Sequence, residues 1–224
     1  MDKIPIIKPF RGIRYPENDV STLICPPYDI ISPAERERLY KVNPHNAIRL
    51  EFPLPEGGKD PYQAAAHYWR EWRENSILRE DEPSLYLCRS DFDYRGERRT
   101  RLGLLVALHL ESLQEGRVMP HERTRPAAKA DRLALMGASD ANFSPIWTVC
   151  DKPGLSELLS EFMTGQPDNT GETRDGVRYS VWRIAGDSAL GRVSDLVNDG
   201  PIFIADGHHR YETALTYARE KPAA

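Results

Sequence analysis

Cysteine is scarce: the 224-residue chain has three, Cys25, Cys88 and Cys150, far apart from one another. They cannot all pair, and their spacing builds neither a disulfide framework nor a zinc knuckle, so a reducing, cytoplasmic compartment is expected. Long hydrophobic runs are lacking too, and the apolar patch Ile4 to Ile7, broken by Pro5, is too short for a signal peptide. No membrane association is expected. Basic excess is also missing. Lys and Arg number 30 against 34 Asp and Glu, for a net charge of −4, and no basic stripe stands out, so direct nucleic-acid contact is not expected. Internal repeats and low-complexity tracts are absent as well. The 40% apolar residues suffice for one sizeable core or two small ones, and one compact unit with an insertion over about 80–195 is the economical arrangement.

Strand-like and helix-like stretches alternate irregularly, which predicts an α+β chain with a mixed sheet and packed helices. Pro5 to Tyr15, Val20 to Cys25 and Ala47 to Phe52 read as strands. Ser32, with Pro33 and Glu35 behind it, opens a helix to about Lys41, and Asp60 with Pro61 opens another carrying Tyr62, Trp69 and Trp72 at helical spacing. Leu85 to Cys88 and Thr100 to Leu110 read as a hairpin, followed by a turn at Gln114-Glu115-Gly116. A helix is predicted from Pro126 to about Ala138, then a strand Ser144 to Cys150, a helix Leu155 to Met163, a loop Gly165 to Gly171, a strand Val177 to Ile184 and a helix Ala189 to Val197.

The most informative stretch is Pro201 to Leu215. A short apolar run leads through Asp206-Gly207 into a helix whose first turn is His208-His209-Arg210. Amides at a helix start lack intrahelical partners and carry the positive end of the dipole, so an anion is favoured there, and a guanidinium fork suits phosphate oxygens. Asp206 is the expected N-cap, leaving Gly207 for close approach of a ligand. A well-capped helix with a merely solvated first turn would carry similar residues. His208 and Glu212, four apart on one helical face, also suit a metal pair.

A second concentration of ionisable side chains is His121, Glu122, Lys129, Asp131 and Arg132 around the Pro126 helix; an exposed ion-pair face would look much the same. Asp29 sits ahead of the Ser32 helix as a turn former or a functional carboxylate, and Arg49 is either an anion ligand or a partner for a local carboxylate. For phosphoryl transfer, Gly207, His208, His209 and Arg210 are candidates to hold phosphates and Arg49, Lys129 and Arg132 to neutralise developing charge. Glu122, Asp131 and Asp206 offer oxygen to magnesium, and Asp29 or Glu122 offers an acceptor base, with His121 beside them.

The run Asp206-Gly207-His208-His209-Arg210-Tyr211-Glu212 closely resembles the signature of a prokaryotic family known as domain of unknown function 1015. Lys8 to Tyr15, Cys25 to Ser32, Asn43 to Leu50, Pro120 to Thr124 and Asp131-Arg132-Leu133 resemble its other marks, in the same order. The resemblance implies an N-terminal portion of a longer protein. Ala127-Ala128 replaces the family's usual Gly-Pro step. More distantly, the signature is similar to the phosphate-binding helix start of the ParB and sulfiredoxin-like superfamily, which includes ATP-using sulfiredoxins, CTP-binding partition proteins and kinases of free serine. That similarity implies a ParB/sulfiredoxin-like core and a small-molecule kinase using ATP or ADP with magnesium on a hydroxyl acceptor such as serine. By position, Asp29 resembles the catalytic carboxylate of the serine kinases. A non-catalytic nucleotide switch, and a metal-dependent hydrolase built on His121, Glu122, His208 and Glu212, are the alternatives.

Overall fold

The computed structural model describes residues 6–113, 116–122, 126–198 and 200–221. The chain begins with β1 (Ile7–Lys8), β2 (Ile13–Arg14), α1 (Pro33–Val42), α2 (Ile48–Glu51), α3 (Pro61–Glu74) and β3 (Arg79–Glu80). It continues with β4 (Leu85–Tyr94), β5 (Glu97–Leu105), β6 (Ala107–Leu108), β7 (Val118–Met119), α4 (Pro126–Ser139) and β8 (Trp147–Val149). Then come α5 (Leu155–Glu161), β9 (Asn169–Glu172), β10 (Arg178–Ile184), α6 (Asp187–Val197), β11 (Ile202–Asp206) and α7 (His208–Glu220). The class is mixed α+β, with several small sheets rather than one large one.

Local chemistry explains the clearest boundaries. The Ser32 side chain accepts from the Glu35 amide at the start of α1, and Asp60 accepts from the amides of Tyr62 and Gln63 at the start of α3; proline follows each cap. Arg95 and Gly96 turn the β4–β5 hairpin with φ of 53° and 81°, the left-handed pair that a two-residue turn between twisted strands requires.

That hairpin extends into an antiparallel sheet of order β5-β4-β10-β9. A second sheet, β7-β11-β8, is mixed: β7 runs parallel to β11 and β8 antiparallel to it. The largest core joins Leu85, Leu87 and Ile184 of the first sheet to Ile202 and Ile204 of the second, with Val193, Val197 and Tyr211 packed from α6 and α7. A separate cluster gathers Tyr15, Val20, Leu23, Leu50 and Leu78 around Trp72. Helix α4 packs against both α3 and α7, which ties the second cluster to the α7 edge.

Several predicted strands take another form. Ala47 to Phe52 contains the helical turn α2: the buried Asn46 is held by the carbonyls of Thr22 and Ile24, and its own oxygen accepts from the Ile48 amide. Those local bonds override an apolar run too short for its period to decide between strand and helix. Val20 to Cys25 is a turn in which the Leu23 and Ile24 amides bond back to Val20, so Val20 and Leu23 are buried at a spacing of three. Within Pro5 to Tyr15 the described residues form β1 and β2, which pair with different partners, β6 and β3, and between them Phe10 bridges to Ser84. The stretch read as the loop Gly165 to Gly171 runs at its end into the edge strand β9. Residues 114 and 115 of the predicted turn lie outside the described residues.

Candidate functional site at the ends of the parallel strands

Parallel pairing sets the site. Val118 faces Ile202 and Met119 faces Phe203, so both strands end at one edge, where open sheets place their ligands. His121 and Glu122 follow β7 there, and Gly207 and His208 follow β11. The two imidazoles meet edge to face, centroids 4.5 Å apart, and the His121 amide donates to His208 Nε2 at 3.3 Å. His121 Nδ1 lies 2.7 Å from the Ile204 carbonyl. An acceptor-only carbonyl fixes the ring proton on Nδ1, which leaves the lone pair on Nε2.

His208 is 1% exposed. Its Nδ1 is 3.1 Å from Glu122 Oε1, near enough for an ion pair but outside hydrogen-bond geometry, and it has no other hydrogen-bond partner. Burial holds the imidazole below its ordinary pKa, with the Glu122 charge opposing that shift only in part. One ligand atom from each of His121, Glu122 and His208 falls within 4.8 Å of the others.

The start of α7 differs from expectation. Gly207, at φ 88°, is the N-cap, and as a glycine it has no side chain with which to cap the helix. The Asp206 carboxylate, predicted to do so, instead accepts from Arg210, because a nearly buried guanidinium offers a charge-assisted bond stronger than a neutral amide does. Arg210 also donates to the Pro145 carbonyl. A Cβ on residue 207 would lie 2.8 Å from Arg210 Nε, so the glycine admits its own arginine. A ligand at this helix start therefore meets the guanidinium as well as the backbone.

Helix α4 supplies the flank. Lys129 Nζ pairs with Glu212 at 2.6 Å, so Glu212 does not join His208 in a metal pair. Asp131 pairs with Arg132 at 2.6 Å and accepts from the Tyr62 hydroxyl at 2.8 Å. The Arg132 guanidinium donates to the Glu51 carbonyl at 2.9 Å and stacks 3.8 Å above the Tyr28 ring. Asp29, exposed, shares the short 3₁₀ turn Tyr28–Ile30, and burial holds the Tyr28 phenol above its ordinary pKa, with the Arg132 and Arg210 charges opposing and those of Asp29 and Asp131 adding to the rise. This is how the early helix region reaches the α7 edge.

Sequence reasoning missed Glu51. Its carboxylate is buried, accepts from the Tyr28 amide at 3.2 Å and from the Ser144 hydroxyl, and is pushed above its ordinary pKa by desolvation, with the Ser144 hydrogen bond and then Arg132 opposing. Nothing in its spacing marks it, since it lies in the segment read as a strand. Glu51, Arg132, Ser144 and Arg210 line a cavity of about 20 Å³, room for about one water.

The fold thus brings His121, Glu122, Asp206, Gly207, His208 and Arg210 to one edge, with Lys129, Asp131 and Arg132 beside it. His209 is half-buried and its carbonyl accepts from Thr213. Arg49 is elsewhere engaged: it stacks 4.4 Å above the Tyr40 ring and pairs with Glu56 at 3.5 Å. The oxygen-only set Glu122, Asp131 and Asp206 is not assembled among the described residues, because Asp131 and Asp206 each serve an arginine. Arg123 and Thr124, and the side chains of Ala127 and Ala128, lie outside the description.

Residues 7–224 match the model of the family described as protein of unknown function, DUF1015. The chain belongs to that family. The DUF1015 match takes in every residue of the edge just described. No curated protein and no solved structure matches the chain. Among the described residues no helix is long and apolar enough to cross a membrane.

Proposed function

We propose that this DUF1015 chain is a cytoplasmic small-molecule phosphotransferase with a ParB/sulfiredoxin-like core interrupted by an insertion over about 80–195. It takes ATP or ADP as phosphoryl donor and a hydroxyl compound such as free serine as acceptor. The observation that carries this reading is the α7 start: a helix whose N-cap, Gly207, has no side chain, with Arg210 folded against that glycine and with Lys129 and Arg132 on the neighbouring helix α4. The nucleotide, as its magnesium complex, supplies the phosphoryl group. The first-turn amides and Arg210 hold its phosphates; the cavity behind Arg210 fits about one water, so the nucleotide lies outside it, over Gly207. Asp206 and Glu212 occupy Arg210 and Lys129 in the meantime, and phosphate oxygens replace them. Both carboxylates are partly exposed, 54% and 28%, so their release into water is cheap. Arg132, held rigid by Tyr28 and Glu51, neutralises charge as it develops. Asp29 takes the acceptor proton.

The test is a thermal-shift screen of the full chain with ATP, ADP and magnesium, followed by turnover assays with hydroxyl acceptors. A nucleotide at 100 times its Kd should stabilise by about 2.7 kcal/mol. Arg210→Ala should weaken binding roughly tenfold or more, the loss of one charge-assisted bond. Asp29→Asn should retain binding and lose transfer. Binding without turnover for every acceptor would replace the kinase with a nucleotide switch, and indifference to every nucleotide would end both.

A further inference from the structure

We infer that His121, Glu122 and His208 form a binding site for a divalent first-row transition ion, zinc by the chemistry of its ligands. The site lies beside the proposed phosphate position and stands independently of it. One nitrogen from each histidine and one carboxylate oxygen converge within 4.8 Å. Two imidazoles and a carboxylate are the borderline-soft set that zinc takes in open, catalytic sites, whereas magnesium favours oxygen and water.

The buried end of the cluster points to an ion. His208 Nδ1 is fully enclosed with no hydrogen-bond partner, yet Glu122 Oε1 is 3.1 Å away. Two atoms this close that do not aim at each other have the relation of neighbouring ligands, which sit about 3.4 Å apart around a tetrahedral ion with bonds near 2.0–2.1 Å. The His121 ring is already oriented as metal-bound histidines are: Nδ1 donates to the Ile204 carbonyl, so Nε2 is the nitrogen left to ligate. Ligation by His208 Nδ1 moves that ring's proton to Nε2 and ends the long 3.3 Å bond from the His121 amide. One weak bond is thereby exchanged for a coordination bond. His121 and Glu122 are exposed while His208 is not, so the ion has an inner wall of protein and an outer position open to water or a phosphoryl oxygen.

The topology explains why these residues meet. Each histidine lies just past the end of a strand in one parallel pair, and parallel strands deliver the residues after them to the same edge. Glu122 is adjacent to His121, so a single turn after β7 provides two ligands.

The experiment is calorimetric titration of the chelator-stripped full chain with zinc, in the absence of nucleotide, paired with the visible spectrum of the cobalt form. One equivalent should bind, with the intense bands of four-coordinate cobalt. His121→Ala and Glu122→Gln, both at exposed positions that should leave the fold intact, should each weaken zinc by more than about 100-fold, beyond what loss of an outer-shell partner costs. His67→Ala, at the exposed His67–Glu71 pair, should change nothing. Loss of the single equivalent in His67→Ala, unchanged affinity in His121→Ala and Glu122→Gln, or magnesium competing equally with zinc would overturn the assignment. Nucleotide binding plays no part in the readout, so a failure here leaves the phosphotransferase reading standing, and the reverse holds.

Discussion

Helix α3 starts under Asp60, whose carboxylate accepts from two amides, and it buries Ala64, Ala65 and Trp72. Helix α7, one residue shorter, starts after a left-handed glycine that has no side chain with which to cap it, and it buries His208, Arg210, Tyr211 and Thr213. Both pack against α4, so their surroundings are shared. Their interiors are opposite. In α3 the cap and the apolar face lower the free energy of the fold directly, through satisfied amides and removal of apolar surface from water. In α7 the N-cap has no side chain to offer the first amides, and the buried groups are ones whose burial is unfavourable unless each finds a partner. Tyr211 finds one in the Glu111 carbonyl at 2.9 Å and Arg210 in Asp206, while His208 Nδ1 does not. A helix built that way gives up stability that α3 keeps.

The comparison breaks most visibly at Trp72. Trp72→Ala should lose about 3–5 kcal/mol in denaturant titration, while the ligand affinity of the protein that remains folded should not change. If it changes, the two helices are not separable. Gly207→Ala should cost about 2 kcal/mol, since the substituted residue must hold φ near 88° and its Cβ would press on an arginine pinned at both ends; thermal melting measures it, and a neutral result would mean that Arg210 moves freely. Asp60→Ala should cost about 1 kcal/mol with no effect on any ligand, which separates a cap from a site.

The smallest effect should be at Glu51. Its folded pKa is raised above 4.5 by burial, so the folded protein keeps a proton that the unfolded chain has already released. The contribution of Glu51 to stability is therefore fully present below about pH 4.5 and is lost as pH climbs through the raised value. Glu51→Gln should remove that slope, so that the stability profiles of the two proteins diverge above about pH 4.5. Parallel profiles would show that Arg132 and Ser144 fully compensate the buried charge.

Helix starts α1 and α3 were legible in the amino acids because a cap is a local object: a side chain bonds an amide two or three residues on, and proline favours the position between. The β4–β5 hairpin and the β11-to-α7 corner were legible for the same reason, through Gly96 and Gly207. The sequence by itself determined these features, together with the family marks at residues 206 to 212. Other features depend on partners remote in the chain. Asp206 leaves its cap for Arg210 because burial strengthens an ionic bond, and Ala47 to Phe52 coils because Asn46 is tied to Thr22 and Ile24. His121 meets His208, 87 residues away in sequence, only because β7 and β11 run parallel. Spacing cannot encode such a meeting, since it comes from strand pairing and desolvation, and only the tertiary structure decided it.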